Sequence, residues 1–153
     1  MIVYRLSKSK YSRDLSGSGA EKTGGRWNSR GKALIYTSSS RALCALEIAV
    51  HTPLGIIPRD YELVSIEIPD SAMFLEIKTT GLPADWKSFP HPGSTQAFGD
   101  NFIASGKQQV LKVPSAVVQG DYNYLINPQN SGHSKIRIIS IEPFEFDERL
   151  FNK

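Results

Sequence analysis

Glu47 is the one charge in an apolar run, Ala-Leu-Cys-Ala-Leu-Glu-Ile-Ala-Val, that fills residues 42–50. A carboxylate among such groups is costly to desolvate unless a cation or several hydrogen-bond donors meet it, so the position faces either solvent or chemistry. The obvious cation is Arg26, in the loop Gly24-Gly25-Arg26-Trp27-Asn28. Paired glycines let backbone amides approach a phosphate, and a guanidinium binds two of its oxygens in a bidentate fork. Arg5 and Arg30 could add charge. The loop, Tyr36 and Glu47 together suggest a site for an anionic, aromatic small molecule, with chemistry beside a carboxylate.

Each of these residues also has a plainer reading. The loop serves equally as a turn that packs Arg26 and Trp27 on the surface. At helical spacing Ser40, Cys44, Glu47 and His51 form one narrow stripe, which is equally the solvent side of a helix. Tyr36 and Ser115 taken singly are ordinary structural residues of a strand and of a turn after proline. Cys44 reads as a small core hydrophobe. His51, His91 and His133 share no metal-ligand spacing and read as exposed or loop residues, so no metal is expected. Nucleophile-elbow, Walker and dinucleotide-fold motifs are absent from the sequence.

The elements that must position these residues follow from pattern. Residues 2–6 form a short opening strand, and residues 7–25 a long polar, Gly/Ser-rich loop of the kind that often carries function. Residues 33–37 are a second short strand ending near Tyr36. Ser38, Ser39 and Ser40 offer N-cap oxygens to a helix over residues 42–50, which Pro53 and Gly55 terminate, so Glu47 lies mid-helix. Residues 62–68 alternate as a strand, with Val64, Ile66 and Ile68 on one face. Residues 79–92 are loop; Ser94 caps a second helix with Phe98, Phe102 and Ile103 inward, and Gly106 ends it. Strands follow at residues 109–118, 122–126 and 136–141. With few β-α-β alternations, the chain is expected to be a mixed α+β domain with largely antiparallel pairing and flanking helices.

The 153 residues suit a single domain over 1–153. A composition 40% apolar and 22% charged is that of a globular protein, and no apolar run approaches the roughly 20 residues of a membrane helix. The opening Met1-Ile2-Val3-Tyr4-Arg5 lacks the pattern of a secretory signal, and Cys44 is the single cysteine, so a cytoplasmic location is expected. The net charge of +3 is scattered, with Lys8, Lys10 and Arg13 the one cluster, which gives weak support for nucleic-acid binding.

Tyr4-Arg5, the turn at 17–20, Gly24-Gly25-Arg26-Trp27-Asn28, Gly31, Ile35-Tyr36-Thr37-Ser38, Ala45-Leu46-Glu47, Val113-Pro114-Ser115 and Asn123-Tyr124-Leu125-Ile126-Asn127-Pro128 together resemble the RES-domain family over nearly the whole chain. That family is named for an arginine, a glutamate and a serine. Glu47 and Ser115 fit the last two, and both Arg5 and Arg26 match arginine positions. The resemblance implies a fold like that of ADP-ribosyltransferases and the toxin of a bacterial toxin-antitoxin pair, acting on NAD+ as substrate without metal. It implies a partner antitoxin of the Xre-like helix-turn-helix type that covers the site in a hetero-oligomer, with a toxin homodimer as one arrangement, and DNA reached through the antitoxin alone. In that reading Glu47 faces the ribose and stabilises an oxocarbenium-like transition state. Arg26 and Arg5 hold the diphosphate beside Gly25, Tyr36 or Trp27 stacks on nicotinamide, and Ser115 and Asn123 complete the ligand contacts. Glu47 and Arg26 are expected to pair in the empty site. The sequence departs from the family in one place: a histidine is expected soon after Asn127-Pro128, whereas Gln129-Asn130-Ser131-Gly132 precede His133. A mono-ADP-ribosyltransferase with the same site, a non-catalytic nucleotide or RNA-binding module, and a structural subunit are the other readings.

Overall fold

The computed structural model describes residues 1–152. Seven strands form one sheet: β1 (Ile2–Lys8), β2 (Ile35–Ser38), β3 (Tyr61–Glu67), β4 (Phe74–Glu76), β5 (Val110–Pro114), β6 (Tyr122–Ile126) and β7 (Arg137–Phe144). Their spatial order is β4-β5-β6-β2-β1-β3-β7, and every neighbouring pair is antiparallel except the parallel β4–β5. The expected mixed α+β class holds. Three helices flank the sheet: α1 (Ser18–Thr23), α2 (Arg41–His51) and α3 (Gly93–Ser105). No helix among the described residues is long and apolar enough to cross a membrane.

One joint in the sheet decides where a site can form. β1 pairs with β3 along its whole length, but with β2 at the single register pair Tyr4–Ser38. From that point Arg5 and Leu6 on β1 and Tyr36 and Thr37 on β2 diverge, and all four line the cleft that opens between them. The pairing at Tyr4–Ser38 leaves α2, which follows β2 directly, to roof the gap. Its start is fixed by Ser40, whose side-chain oxygen accepts from the Leu43 amide at 3.1 Å, and Leu43 and Cys44 anchor it in the core.

The sequence reading needs four corrections. Residues 7–25 are not one loop, because Ser18–Thr23 is helical between Gly17 (φ 73°) and Gly24 (φ 70°). A helix with no buried residue carries no apolar stripe, so periodicity could not reveal it. α3 begins at Gly93 after Pro92, and it is Thr95, not Ser94, whose hydroxyl donates to the Pro92 carbonyl at 3.0 Å. β4 was hidden by its length of three residues. In β3 both faces are covered, since Leu63 and Ser65 are buried along with Val64 and Ile66.

Three apolar clusters hold the layers together. Trp27, Trp86, Phe102 and Leu125 fill the space between α3 and the β5–β6 face. Val3, Val64, Ile66 and Ile126 pack on the opposite side. Leu6, Cys44, Leu63, Phe146 and Phe151 tie α2 to β1 and β3. Cys44 donates to the Tyr4 carbonyl, and burial pushes its thiol up to about 11, so it is a core group and not a nucleophile.

Candidate active site

The cleft at the β1–β2 joint has a volume of about 460 Å³ and is lined by Arg5, Arg26, Tyr36, Glu47 and Asn123. Five residues separated by up to 118 positions in the sequence are thus brought to one place. The volume falls in the range of roughly 300–1,000 Å³ typical of small-molecule sites.

Glu47 is met by neutral donors and not by a cation. Its Oε1 accepts from Asn123 Nδ2 at 2.8 Å and from Ser115 Oγ at 3.2 Å. Asn123 comes from β6 and is itself oriented by Ser38, whose hydroxyl donates to Asn123 Oδ1 at 2.8 Å. Ser115 follows β5, is 2% exposed, and accepts from the amides of Val117 and Val118, both at 3.0 Å. A hydroxyl has one proton and two lone pairs, so Ser115 is fully engaged. Its one proton goes to Glu47, which it orients. Glu47 Oε2 makes no hydrogen bond among the described residues. The carboxylate is therefore anchored by one oxygen and unengaged at the other.

Arg26 does not pair with Glu47; no ion pair joins them among the described residues. Its Nη1 instead donates to the carbonyls of Trp86 at 2.6 Å and Ser88 at 2.9 Å. Burial lowers its pKa, while the charge of Glu47 works in the opposite direction, so the two feel each other without touching. Arg5 reaches further back. Its guanidinium clamps the carbonyls of Asp14 at 2.7 Å and of Tyr11 and Ser12 at 3.1 Å, which orders the segment after β1, and burial lowers its pKa as well. Arg30 is exposed and lies outside the cleft, so it adds no charge there.

The Gly24-Gly25 loop is built tightly around Tyr36. The phenol donates to Asn28 Oδ1 at 2.7 Å and accepts from the Trp27 amide at 3.0 Å, and burial raises its pKa well above the ordinary value. A Cβ on Gly25 would stand 2.6 Å from that hydroxyl, so the second glycine is demanded by contact. Gln96 and Asp100 on α3 bind the loop from behind, through the carbonyls of Gly25 and Asn28 and through Ser29. Trp27 is only 3% exposed and packs against Trp86 with ring centroids 6.5 Å apart. Its indole belongs to the core under the loop, and the residue also borders the cleft.

Sequence reasoning missed two residues that line the same cleft, His51 and His91. His51 stands one helical turn beyond Glu47, a spacing visible in the sequence but read as a solvent stripe. His91 is in the loop before α3, where nothing local marks it. The departing segment after Pro128 is structural: Asn130 donates to the carbonyls of Gly106 and Gln108, and Asn127 to that of Ile103. His133 does not line the cleft.

Comparison with known proteins places the chain in a family. The RES domain matches residues 2–147. A protein of Sphingobium sp. named Prs ADP-ribosylating toxin is 39% identical over 142 residues, covering 92% of this chain and 88% of its own. A protein of Yersinia enterocolitica named Toxin Res is 37% identical and covers 98% of this chain and 99% of its own. Among solved structures, the M. tuberculosis MbcT–MbcA toxin–antitoxin complex contains a chain that superposes with a TM-score of 0.74 at 24% identity, covering 98% of this chain and 86% of that one. With the family's arginine, glutamate and serine positions all found at or beside one cleft, this chain belongs to the RES domain family.

Proposed function

We propose that this protein is the toxin of a toxin–antitoxin pair and that it cleaves the nicotinamide–ribose bond of NAD+. The observation that carries the reading is Glu47, held by Asn123 and Ser115 through Oε1 with Oε2 unengaged, in a cleft that also presents Arg26. NAD+ carries its own leaving group. The C1′–N bond breaks with its electron pair passing to the nicotinamide ring nitrogen, whose positive charge is discharged, and an oxocarbenium-like ribose remains. What the reaction asks of the protein is a fixed negative charge beside C1′, and a carboxylate oriented in advance supplies it without reorganisation. The remaining donors of Arg26 suit the diphosphate, and the Tyr36 ring is the aromatic surface beside the nicotinamide. An oxygen nucleophile, from water or phosphate, then closes on C1′ and loses its proton.

The toxin role is supported by the names of the Yersinia and Sphingobium relatives, and an antitoxin that covers the cleft is the partner it requires. A second reading has the same intermediate captured by a side chain of another protein; the Sphingobium relative's description as ADP-ribosylating favours it. Induced expression in cells without a cognate antitoxin separates the two. NAD+ depletion with wild type and none with Glu47→Gln is expected. Unchanged NAD+ together with a protein that gains labelled ADP-ribose would replace cleavage by transfer, and unchanged NAD+ without labelling would overturn both.

A further inference from the structure

The loop that Arg26 grips through the Trp86 and Ser88 carbonyls continues into Phe89 and His91. Phe89 is 70% exposed, and its ring sits between two imidazoles, 5.2 Å from His91 edge-on and 5.9 Å from His51. Both histidines line the cleft that holds Glu47. His91 Nδ1 is sealed from solvent with no hydrogen-bond partner among the described residues, and Nε2 is the nitrogen left open. In the neutral ring one nitrogen carries the proton and the other a lone pair, and Nε2 accepts a proton in the tautomer protonated at Nδ1. Of the groups used so far in the reaction, Ser115 and Tyr36 are committed and Arg26 is a cation, while Glu47 Oε2, the one free acceptor among them, is occupied by the ribose cation.

We propose that His91 is a further catalytic residue of the reaction proposed above, its Nε2 taking the proton of the acceptor oxygen as that oxygen bonds to ribose C1′ beside Glu47. The step balances. The O–H bond breaks toward Nε2, the new C1′–O bond forms, the C1′–N pair leaves with nicotinamide, and the imidazolium returns its proton to solvent. Glu47 and His91 thereby divide the work, one meeting the cation and the other the proton. The charged and titratable groups that face this cleft are Tyr4 and Arg5 on β1, Arg26, Tyr36 on β2, and Cys44, Glu47 and His51 on α2. Burial first, then Arg26 and His51, lower the His91 pKa from its ordinary 6.5, so the neutral base is the resident form at neutral pH. A base must be unprotonated, so turnover is present above that pKa and is lost as pH falls through it.

This inference rests on the NAD+-cleaving reading, and one experiment separates their failures. Nicotinamide release from NAD+ is measured from about pH 5 to pH 8 for wild type, His91→Asn and His91→Gln, the two amides imitating either ring nitrogen without titrating. Both variants are expected to lose about 100-fold in kcat at neutral pH, with KM for NAD+ little changed, and to lose the acid limb that wild type displays below the ordinary histidine range. If one variant fails to fold, the other carries the comparison. Variants that keep the rate, or that lose rate but keep the acid limb, overturn the proton-acceptor role and leave the cleavage reading standing. Absence of release from wild type overturns the cleavage reading and this inference with it.

Discussion

At the scale of single residues, the centre of the site is a carboxylate whose position is set by its neighbours. Two hydrogen bonds converge on Glu47 Oε1, from Asn123 and Ser115, and each of those donors is fixed in turn, by Ser38 and by the amides of Val117 and Val118. A hydrogen bond to a charged group contributes about 1.5–3 kcal/mol. If that contribution is felt mainly when the ribose becomes cationic, Ser115→Ala or Asn123→Ala lowers kcat by about 10- to 150-fold and leaves KM for NAD+ nearly unchanged. Steady-state kinetics checks this. A rise in KM with kcat intact would make these side chains ligand contacts and not holders of Glu47. Glu47 itself was legible in the sequence as a lone charge in an apolar run. Its partners were not, because Ser115 and Asn123 lie 68 and 76 positions away and meet it only through the sheet. The expectation that Arg26 would answer it failed for the same reason: the carbonyls that claim Arg26 come from residues 86 and 88, in a loop with no local signal.

At the scale of elements, α3 and the Gly24-Gly25 loop are packed backbone against backbone. A Cβ on Gly99 would lie 1.5 Å from the Trp27 carbonyl oxygen, closer than any real contact, so α3 could keep that side chain only by moving away from the loop. Alanine normally favours a helix over glycine by about 1 kcal/mol. Gly99→Ala is nevertheless expected to lower the melting temperature, since forcing a well-packed contact apart costs about 1–3 kcal/mol or more. Gly19→Ala on α1 is the counterpart: a Cβ there meets nothing within 4 Å, and stability is expected to hold or rise. Thermal denaturation of both variants reads the contrast, and a Gly99→Ala protein as stable as wild type would contradict the packing described. The elements themselves divide by how much apolar surface they bury. α2 was readable from the serines before it and Pro53 and Gly55 beyond it, β3 from the alternation of Val64, Ile66 and Ile68, and β6 from its run of aromatic and apolar residues. α1 has no buried residue and β4 is three residues long, so neither leaves a period to detect.

At the scale of the whole molecule, the sheet nearly divides at the single Tyr4–Ser38 pair, and the cleft occupies the gap. That joint explains why one cleft draws on β1, α1, β2, α2, β6 and three loops at once. Composition and periodicity indicated an α+β domain; the strand order, and with it the place of the cleft, depends on pairings between distant segments that no local pattern encodes. The family resemblance named residues from all of those segments because it reads them together. The central claim is that Glu47 drives cleavage of NAD+ in this cleft, and nicotinamide release by the purified protein, freed of any partner, tests it most directly. Glu47→Gln preserves shape and the oxygen that Asn123 and Ser115 hold, while removing the charge. Release by wild type, with a loss of at least about 100-fold in the variant and NAD+ affinity retained in titration calorimetry, is the predicted result. Release by the variant at the wild-type rate would contradict the account.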